Sequence, residues 1–447
     1  MIQRIQVKGL FGLYDYDIPF PKDPAVKVLT GPNGYGKTTL LKAVDNLYKG
    51  NFWFFHYLDF QQLAIELSEP KADYTVVIDK RIVTKVESKA DVETEHGENV
   101  LDDTDVEVYE ETITLKDGQG TEIEQFLIGE EYVLELLAEA RRRATYRDYP
   151  TTRDDELLEV YYEAKEDDYI QNHCKNISLA LQEYDTRYLP AQRVFNKERV
   201  RQPMRPMRNY IYEIDHVNDE IGRLYRRTQN EFAAKSQQID ATFIKRLVQR
   251  ENSYSRDELR EKLDMLKKRI GDFKELNLFS NMELMDYSMD DEHLYNDFKK
   301  VLSQYVDDMN DKMDRFDELY QKMSLYKRVV TNKVLSEKTV DFSEEGLTVK
   351  NVMGRVLSDL HKLSSGEQNL LILYYNLIFK SNSKTILLID EPENSLHVAW
   401  QSKMLDDYIS MSKTTGCQVV LATHSPTFVD GRWELTTDLY RQFKGKE

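Results

Sequence analysis

Two runs in this chain have the composition to handle phosphate. Gly31-Pro32-Asn33-Gly34-Tyr35-Gly36-Lys37-Thr38-Thr39 fits the pattern G-x-x-x-x-G-K-[ST]. Its glycines let successive backbone N–H groups turn toward a β-phosphate. Lys37 can reach β/γ oxygens, and Thr38 offers a hydroxyl to Mg²⁺. Most of a chain length later comes Leu363-Ser364-Ser365-Gly366-Glu367-Gln368, ahead of the apolar run Asn369–Phe379. A Ser-Ser-Gly turn at a helix N-terminus is a second anion site. A nucleotide has one γ-phosphate, so the economical reading is that this second site addresses a nucleotide on another copy, in a two-fold dimer.

Between and after these runs stand the residues that could move a proton. Lys384-Thr-Ile-Leu-Leu-Ile-Asp390-Glu391 reads as a buried strand ending in two acids. Asp390 would hold Mg²⁺, and Glu391 is the natural general base for water attacking in line with the γ-phosphate. Glu393 is a third acid in the same turn, and a hydrogen bond to backbone is its favoured role. Gln418-Val-Val-Leu-Ala-Thr-His424 is a further strand with a histidine at its carboxyl end, where open α/β sheets gather ligands. His424 reads as a sensor of γ-phosphate. Gln192 sits where the head would meet an arm and could couple Mg²⁺ or the attacking water to arm position.

These residues need a sheet to hold them. Residues 1–8, 15–20 and 25–30 read as strands, the last running into the glycine loop, after which Thr38 onward begins a helix. Residues 73–128 carry Val/Ile/Thr-rich runs that read as antiparallel structure, and 130–185 return to helical spacing. Beyond an arginine-rich bridge (Arg193 to Arg208), three apolar stripes follow. They are Val217/Ile221/Leu224/Thr228/Phe232, Leu259/Leu263/Leu266/Ile270/Phe273, and Leu294/Phe298/Val301/Tyr305/Met309/Met313/Phe316. A Ser255…Glu258 capping box opens the second. Breaks near Ser253 and Asn281–Asp290 favour a short, folded helical domain over a long arm. The expected organisation is an N-terminal lobe (1–195), an inserted helical arm (196–335) and a C-terminal lobe (336–447).

Composition sets limits. The chain has 447 residues, 31% charged and 40% apolar, with net charge −18. A general duplex-DNA binder usually carries a basic footprint, which is absent from the chain as a whole. The acidic run Asp91–Glu111 reads as a solvated loop with a charge-blunted sheet edge, or else as a docking surface for a basic partner or a nucleic-acid mimic. Nine basic residues (Arg193, Lys197, Arg199, Arg201, Arg205, Arg208, Arg223, Arg226 and Arg227) could form a collar at the arm root, leaving direct DNA binding open. No apolar run is long enough to span a membrane. The aromatic run from Asn51 to Leu58 reads as a buried segment. Two cysteines, Cys174 and Cys417, cannot make a zinc site and suit a reducing compartment. The expectation is a cytoplasmic protein without a leader.

In order and spacing, the phosphate loop, Gln192, Leu363-Ser-Ser-Gly-Glu, Asp390-Glu391 and His424 resemble the ABC-type ATPase heads of the SMC and recombination-repair group. The resemblance implies an α/β P-loop head with an antiparallel side sheet and an inserted helical arm. It also implies ATP and Mg²⁺ as ligands, ATP-driven head dimerisation and hydrolysis that reopens the heads. Pro392-Glu393-Asn-Ser-Leu-His397 departs from the transporter pattern, which usually places an aspartate there, and puts transporter-type cross-talk between sites in doubt. That segment looks like the compact ATPases of bacterial anti-phage systems and of overcoming-lysogenisation-defect nucleases. Within that group the chain, with its ending Thr423-His-Ser-Pro-Thr-Phe-Val-Asp-Gly-Arg-Trp, is most similar to the ATPase subunits of PARIS defence systems, and next to Septu ATPases. The PARIS resemblance implies a multimeric scaffold that senses a phage trigger protein and releases a separately encoded TOPRIM-type nuclease. The short stretch after His424 also leads to the expectation that any nuclease is supplied in trans. The competing expectation is a DNA repair or chromosome-organising ATPase that clamps DNA.

Overall fold

A computed structural model describes residues 1–68, 72–88, 103–145, 174–193, 195–196, 211–279, 292–333, 338–351, 353–357, 359–394 and 398–444. The acidic run as far as residue 102, the basic bridge at 197–210, the break at 281–290 and residues 395–397 lie outside the described residues. The chain forms two compact units, one drawn mainly from Met1–Ala191 and Ser381–Glu447, the other mainly from Gln192–Arg201 and Pro206–Lys380.

The first unit is built on a five-stranded parallel sheet. Its order is Thr436–Asp438, Val26–Thr30, Gln418–Thr423, Thr385–Asp390, Asp185–Leu189. Every residue of Thr385–Asp390 and Gln418–Thr423 is buried, as unbroken apolar runs in a covered parallel sheet should be. Register puts the chemistry at one end. Thr30, where the glycine loop begins, pairs with Thr423, and Ala422 pairs with Asp390. The loop, the acids and His424 therefore all leave the same carboxyl edge. The helix Lys37–Tyr48 buries Leu40, Leu41, Val44 and Leu47 in a core shared with both sheets of this unit.

That second sheet is antiparallel and six-stranded, ordered Tyr14–Pro19, Ile2–Leu10, Gln62–Ser68, Asp73–Ser88, Asp103–Asp117, Glu122–Ile128. It is the side sheet expected from the β-rich stretch, extended by the N-terminal hairpin. The aromatic run near residue 51 becomes a short helix, Trp53–Tyr57, with Phe52 and Phe55 fully buried, so it is core. Glu111, from the acidic run, is buried against Lys80 and His56 instead of solvated.

The second unit contains the helices Glu213–Gln249, Arg256–Glu275, Glu292–Met313 and Asp317–Lys333. It also holds a three-stranded antiparallel sheet (Lys338–Ser343, Gly346–Asn351, Val356–Leu357), the paired strands Phe195–Asn196 and Ile211–Tyr212, and the helix Ser365–Phe379. Residues 338–380 thus group with the arm helices, a different partition from the three segments drawn on the sequence. The second stripe is buried at all five positions, and its Ser255–Glu258 capping box forms. The third holds at Met309, Met313 and Phe316, which are buried, but shifts by one residue before them: Leu302 and Val306 are buried in place of Val301 and Tyr305, and Phe298 is 48% exposed. The cause is a double contact. This helix packs on two neighbours and turns Ser303, Gln304 and Asp308 inward to meet Tyr254, Arg250 and Arg246.

Candidate functional site

The loop begins where the strand Val26–Thr30 ends. Gly34 and Gly36 take φ of 89° and 80°, left-handed values that cost other residues strain. At Gly36 a Cβ would also lie 2.7 Å from Leu10 Cδ2, so the buried Leu10 side chain would have to shift to admit any other residue. No heavy atom lies within 4 Å of a Cβ built on Gly34, leaving open space over the loop. Gly36 is the N-cap of the helix that starts at Lys37. Pro32, Asn33, Gly34 and Thr38 are exposed, and Gly31, Tyr35 and Thr39 are half-buried. Lys37 Nζ donates to the carbonyl oxygens of Gly31 (2.7 Å) and Pro32 (2.9 Å), which folds the ammonium back over the loop. Burial lowers the Lys37 pKa from its ordinary value, and the charges of Glu391, Asp390 and Glu393 oppose that fall.

The acids close the other side. Thr38 Oγ1 donates to Asp390 Oδ2 at 2.9 Å, joining the loop helix to the strand Thr385–Asp390. Tyr188 OH donates to the same oxygen at 3.4 Å. Burial pushes the Asp390 carboxyl above its ordinary value; the Thr38 bond resists, and the Glu391 charge adds to the rise. Glu391 follows in a left-handed conformation, φ 43°, with its N–H donating to Ala422 O at 2.8 Å. A non-glycine residue held this way costs about 1–3 kcal/mol, a strain found preferentially at functional positions. His424 Nδ1 lies 3.4 Å from Glu391 Oε1 and 3.7 Å from Glu393 Oε1.

Glu393 is 4% exposed and accepts a bond from the Thr423 side-chain hydroxyl. The backbone hydrogen bond expected for it gives way to this side-chain bond, because the paired strand ends bring Thr423 to the same edge. Tyr188 is the member of the cluster that motif reading missed. It stands on the strand Asp185–Leu189 opposite Leu388, a pairing visible only once the sheet order is known.

The serine-glycine turn belongs to the second unit. Ser364 caps the helix Ser365–Phe379: its hydroxyl accepts the Glu367 N–H, and Glu367 Oε2 takes the Ser364 N–H in return. Lys338 Nζ adds an ion pair to Glu367 Oε1 at 2.6 Å. Burial acts to raise the Glu367 carboxyl, but the bonds from Lys338 and Ser364 outweigh it and hold the carboxyl below its ordinary value. Glu367 and Gly366 are buried, while Ser364 and Ser365 are exposed at the helix start. Gln192 is exposed and opens this unit, so it is described with the arms and not with the loop and acids.

The donor set suits a Mg²⁺-bound nucleotide. Thr38 and Asp390 supply two hard oxygens a hydrogen bond apart, which leaves other positions for phosphate oxygens and water, the usual Mg²⁺ arrangement. Open space over Gly34, a buried cation at Lys37 and the helix N-terminus offer a place for phosphates.

A search of curated proteins gave no match. Among solved structures, the chain is similar to the Smc head domain with an extended coiled coil bound to the C-terminal domain of ScpA, derived from Pyrococcus furiosus. Identity there is 16% over 96% of this chain and 90% of that one, with a TM-score of 0.36. An Smc head bound to the C-winged helix domain of ScpA gives 14% identity, 96% and 91% coverage, and a TM-score of 0.34. The family model for the AAA ATPase domain matches residues 1–429. The chain belongs to that ATPase domain family.

Proposed function

We propose that this chain binds and hydrolyses ATP, and that it serves as the ATP-driven sensor and scaffold of an anti-phage system that holds a separately encoded nuclease in check. The observation that carries the first part is the convergence of Lys37, Thr38, Asp390, Glu391 and His424 on one sheet edge. The loop amides and Lys37 bind the β/γ-phosphates. Glu391, held in its strained turn beside His424, accepts the proton of the attacking water. His424 faces the γ-phosphate and keeps Glu391 oriented. Thr38 and Asp390 would hold Mg²⁺, which supplies charge neutralisation at the phosphates. Ser364, Ser365 and Gly366 of a second copy complete the site, and Glu367 fixes their cap.

The defence role rests on the sequence resemblance. Of the described arginines at the arm root, Arg193 is buried at 4% exposure, Arg226 donates to Glu344 O, Arg227 pairs with Glu231 and Arg223 donates to Asp219 O. These local bonds favour a structural role over a free basic collar.

Phosphate release by the purified chain with MgATP tests the first part, with Lys37→Ala expected to abolish it. Turnover unaffected by that change would sink the assignment. Co-purification with a TOPRIM-type nuclease encoded beside it tests the second. ATP-dependent DNA binding that weakens steeply with salt, with no nuclease recovered, would replace it by the clamp reading.

A further inference from the structure

The family match ends at residue 429, yet the chain beyond it is built into the nucleotide site. The strand Thr436–Asp438 extends the parallel sheet, pairing Thr436 with Val28, Thr437 with Leu29 and Asp438 with Thr30. It therefore lies along the strand that feeds the phosphate loop. Leu439 is fully buried, and a Cβ placed on Gly31 would be 3.6 Å from Leu439 Cβ and from Tyr440 N. The segment touches the loop at its first residue.

It also grips the loop near its far end. The Tyr35 ring meets Tyr440 edge-on at 5.5 Å and Phe443 at 6.2 Å, and Tyr14 closes the cluster at 5.2 Å from Tyr35 and 5.1 Å from Phe443. Tyr16 OH donates to Tyr35 O at 3.0 Å. Gln442 locks the segment to the hairpin by a reciprocal pair. Its Oε1 accepts from Asp17 N at 2.9 Å, and its Nε2 donates to Asp17 O at 2.6 Å.

The loop needs such an anchor. Tyr35 lies between two left-handed glycines, Gly34 and Gly36, whose backbones are the most permissive available. A loop that must present several N–H groups to one phosphate loses affinity if its backbone wanders, because ordering is then charged against binding. A side chain wedged into a packed aromatic cluster supplies the missing restraint.

We infer that residues 436–444 are a working part of the nucleotide site, with Tyr440 and Phe443 as positioning residues that hold the phosphate loop through Tyr35. The inference rests on the loop being a triphosphate site. It predicts loss of binding with chemistry spared, since neither ring lies beside Glu391 or His424 in the sequence or on the sheet edge.

The test uses the full chain, Mg²⁺ and a fluorescent ATP analogue, with KM, kcat and melting temperature measured alongside. Tyr440→Ala and Phe443→Ala should each raise Kd and KM about five- to tenfold, the worth of an aromatic pair, with kcat within about twofold. Tyr440→Phe should restore wild-type binding, because the ring and not the hydroxyl carries the contact. Trp433→Ala, at an exposed ring outside the cluster, should leave Kd unchanged. Tyr440→Leu keeps bulk in case the alanine variant does not fold, and should still weaken binding. Folded variants that bind the analogue like the unaltered chain would overturn the inference, as would a fall in kcat at constant KM. If the unaltered chain binds no analogue, the nucleotide reading fails and takes this one with it.

Discussion

At the scale of residues, Glu391 is where a single atom pair separates binding from chemistry. It shares its turn with Asp390, but the two carboxylates face different tasks. Asp390 is 6% exposed and tied to Thr38, whereas the Glu391 side chain is 30% exposed and reaches His424. Replacing Glu391 by Gln keeps the size and removes the base. Turnover should fall about 100-fold or more while ATP affinity stays within about threefold, since general-base terms are worth that much and ground-state contacts are left intact. Single-turnover phosphate release beside an equilibrium binding titration checks this, and undiminished turnover would remove Glu391 as the base. These residues were legible in the sequence because each sits in a short contiguous motif whose spacing is itself the chemistry. Tyr188, the Thr423 bond to Glu393 and the Tyr35 cluster were not. Each joins segments far apart in the chain, and no local pattern marks which strands will be neighbours.

Elements were legible where the apolar stripe alone made the inward face. The helix Arg256–Glu275 buries the five positions its spacing named. The helix Glu292–Met313 follows its stripe only toward its C-terminal end, because Gln304 and Asp308 are drawn inward by Arg250 and Arg246 at the end of the helix Glu213–Gln249. The second unit relies on such charge contacts throughout. Glu220 pairs with Lys380, Asp341 with Lys327 and Lys350, and Glu367 with Lys338. For each carboxylate burial works upward, yet the partner bonds win and hold the pKa below its ordinary value, 4.5 for the glutamates and 3.8 for Asp341. A depressed folded-state pKa means that the unfolded chain takes up protons first. The stabilisation is therefore complete above the ordinary carboxylate values and is lost as pH falls from 4.5 toward and through the lower folded values. Helical signal melted at pH 6 and at pH 4 should show a lower midpoint in acid. Substituting Lys338 by Met should make that acid-induced drop smaller, and an unchanged drop would show that the Glu367 pair contributes nothing to it.

For the whole molecule, the fold class was readable because motif order fixes which strands carry the site. The grouping of the serine-glycine turn with the arms was less so, since it depends on tertiary packing of the helix Ser365–Phe379 against Tyr326 and Glu220, all within the second unit. That grouping sharpens the dimer argument. Ser364 and Ser365 are exposed at a helix start whose Ser364 N–H and Glu367 N–H are already answered by the capping box, and the remaining N-terminal donors suit an outside anion. If that anion is the γ-phosphate on another copy, an arginine at residue 365 should obstruct closure without touching the loop that first captures nucleotide. Ser365→Arg should bind ATP with unchanged affinity, lose most of its turnover, and fail to give the ATP-dependent dimer in light scattering. Mixing decides whether the contact is made in trans. A Ser365→Arg chain still offers an intact loop and acids, and a Lys37→Ala chain still offers an intact serine-glycine turn, so equal amounts of the two inactive proteins should regain part of the wild-type rate. Restored turnover requires the Lys37→Ala chain to complete the Ser365→Arg chain's site, since the reciprocal site carries both changes. If the wild-type rate per chain does not fall on dilution below the dimer's dissociation range, the site is completed within one chain and the dimer mechanism is wrong.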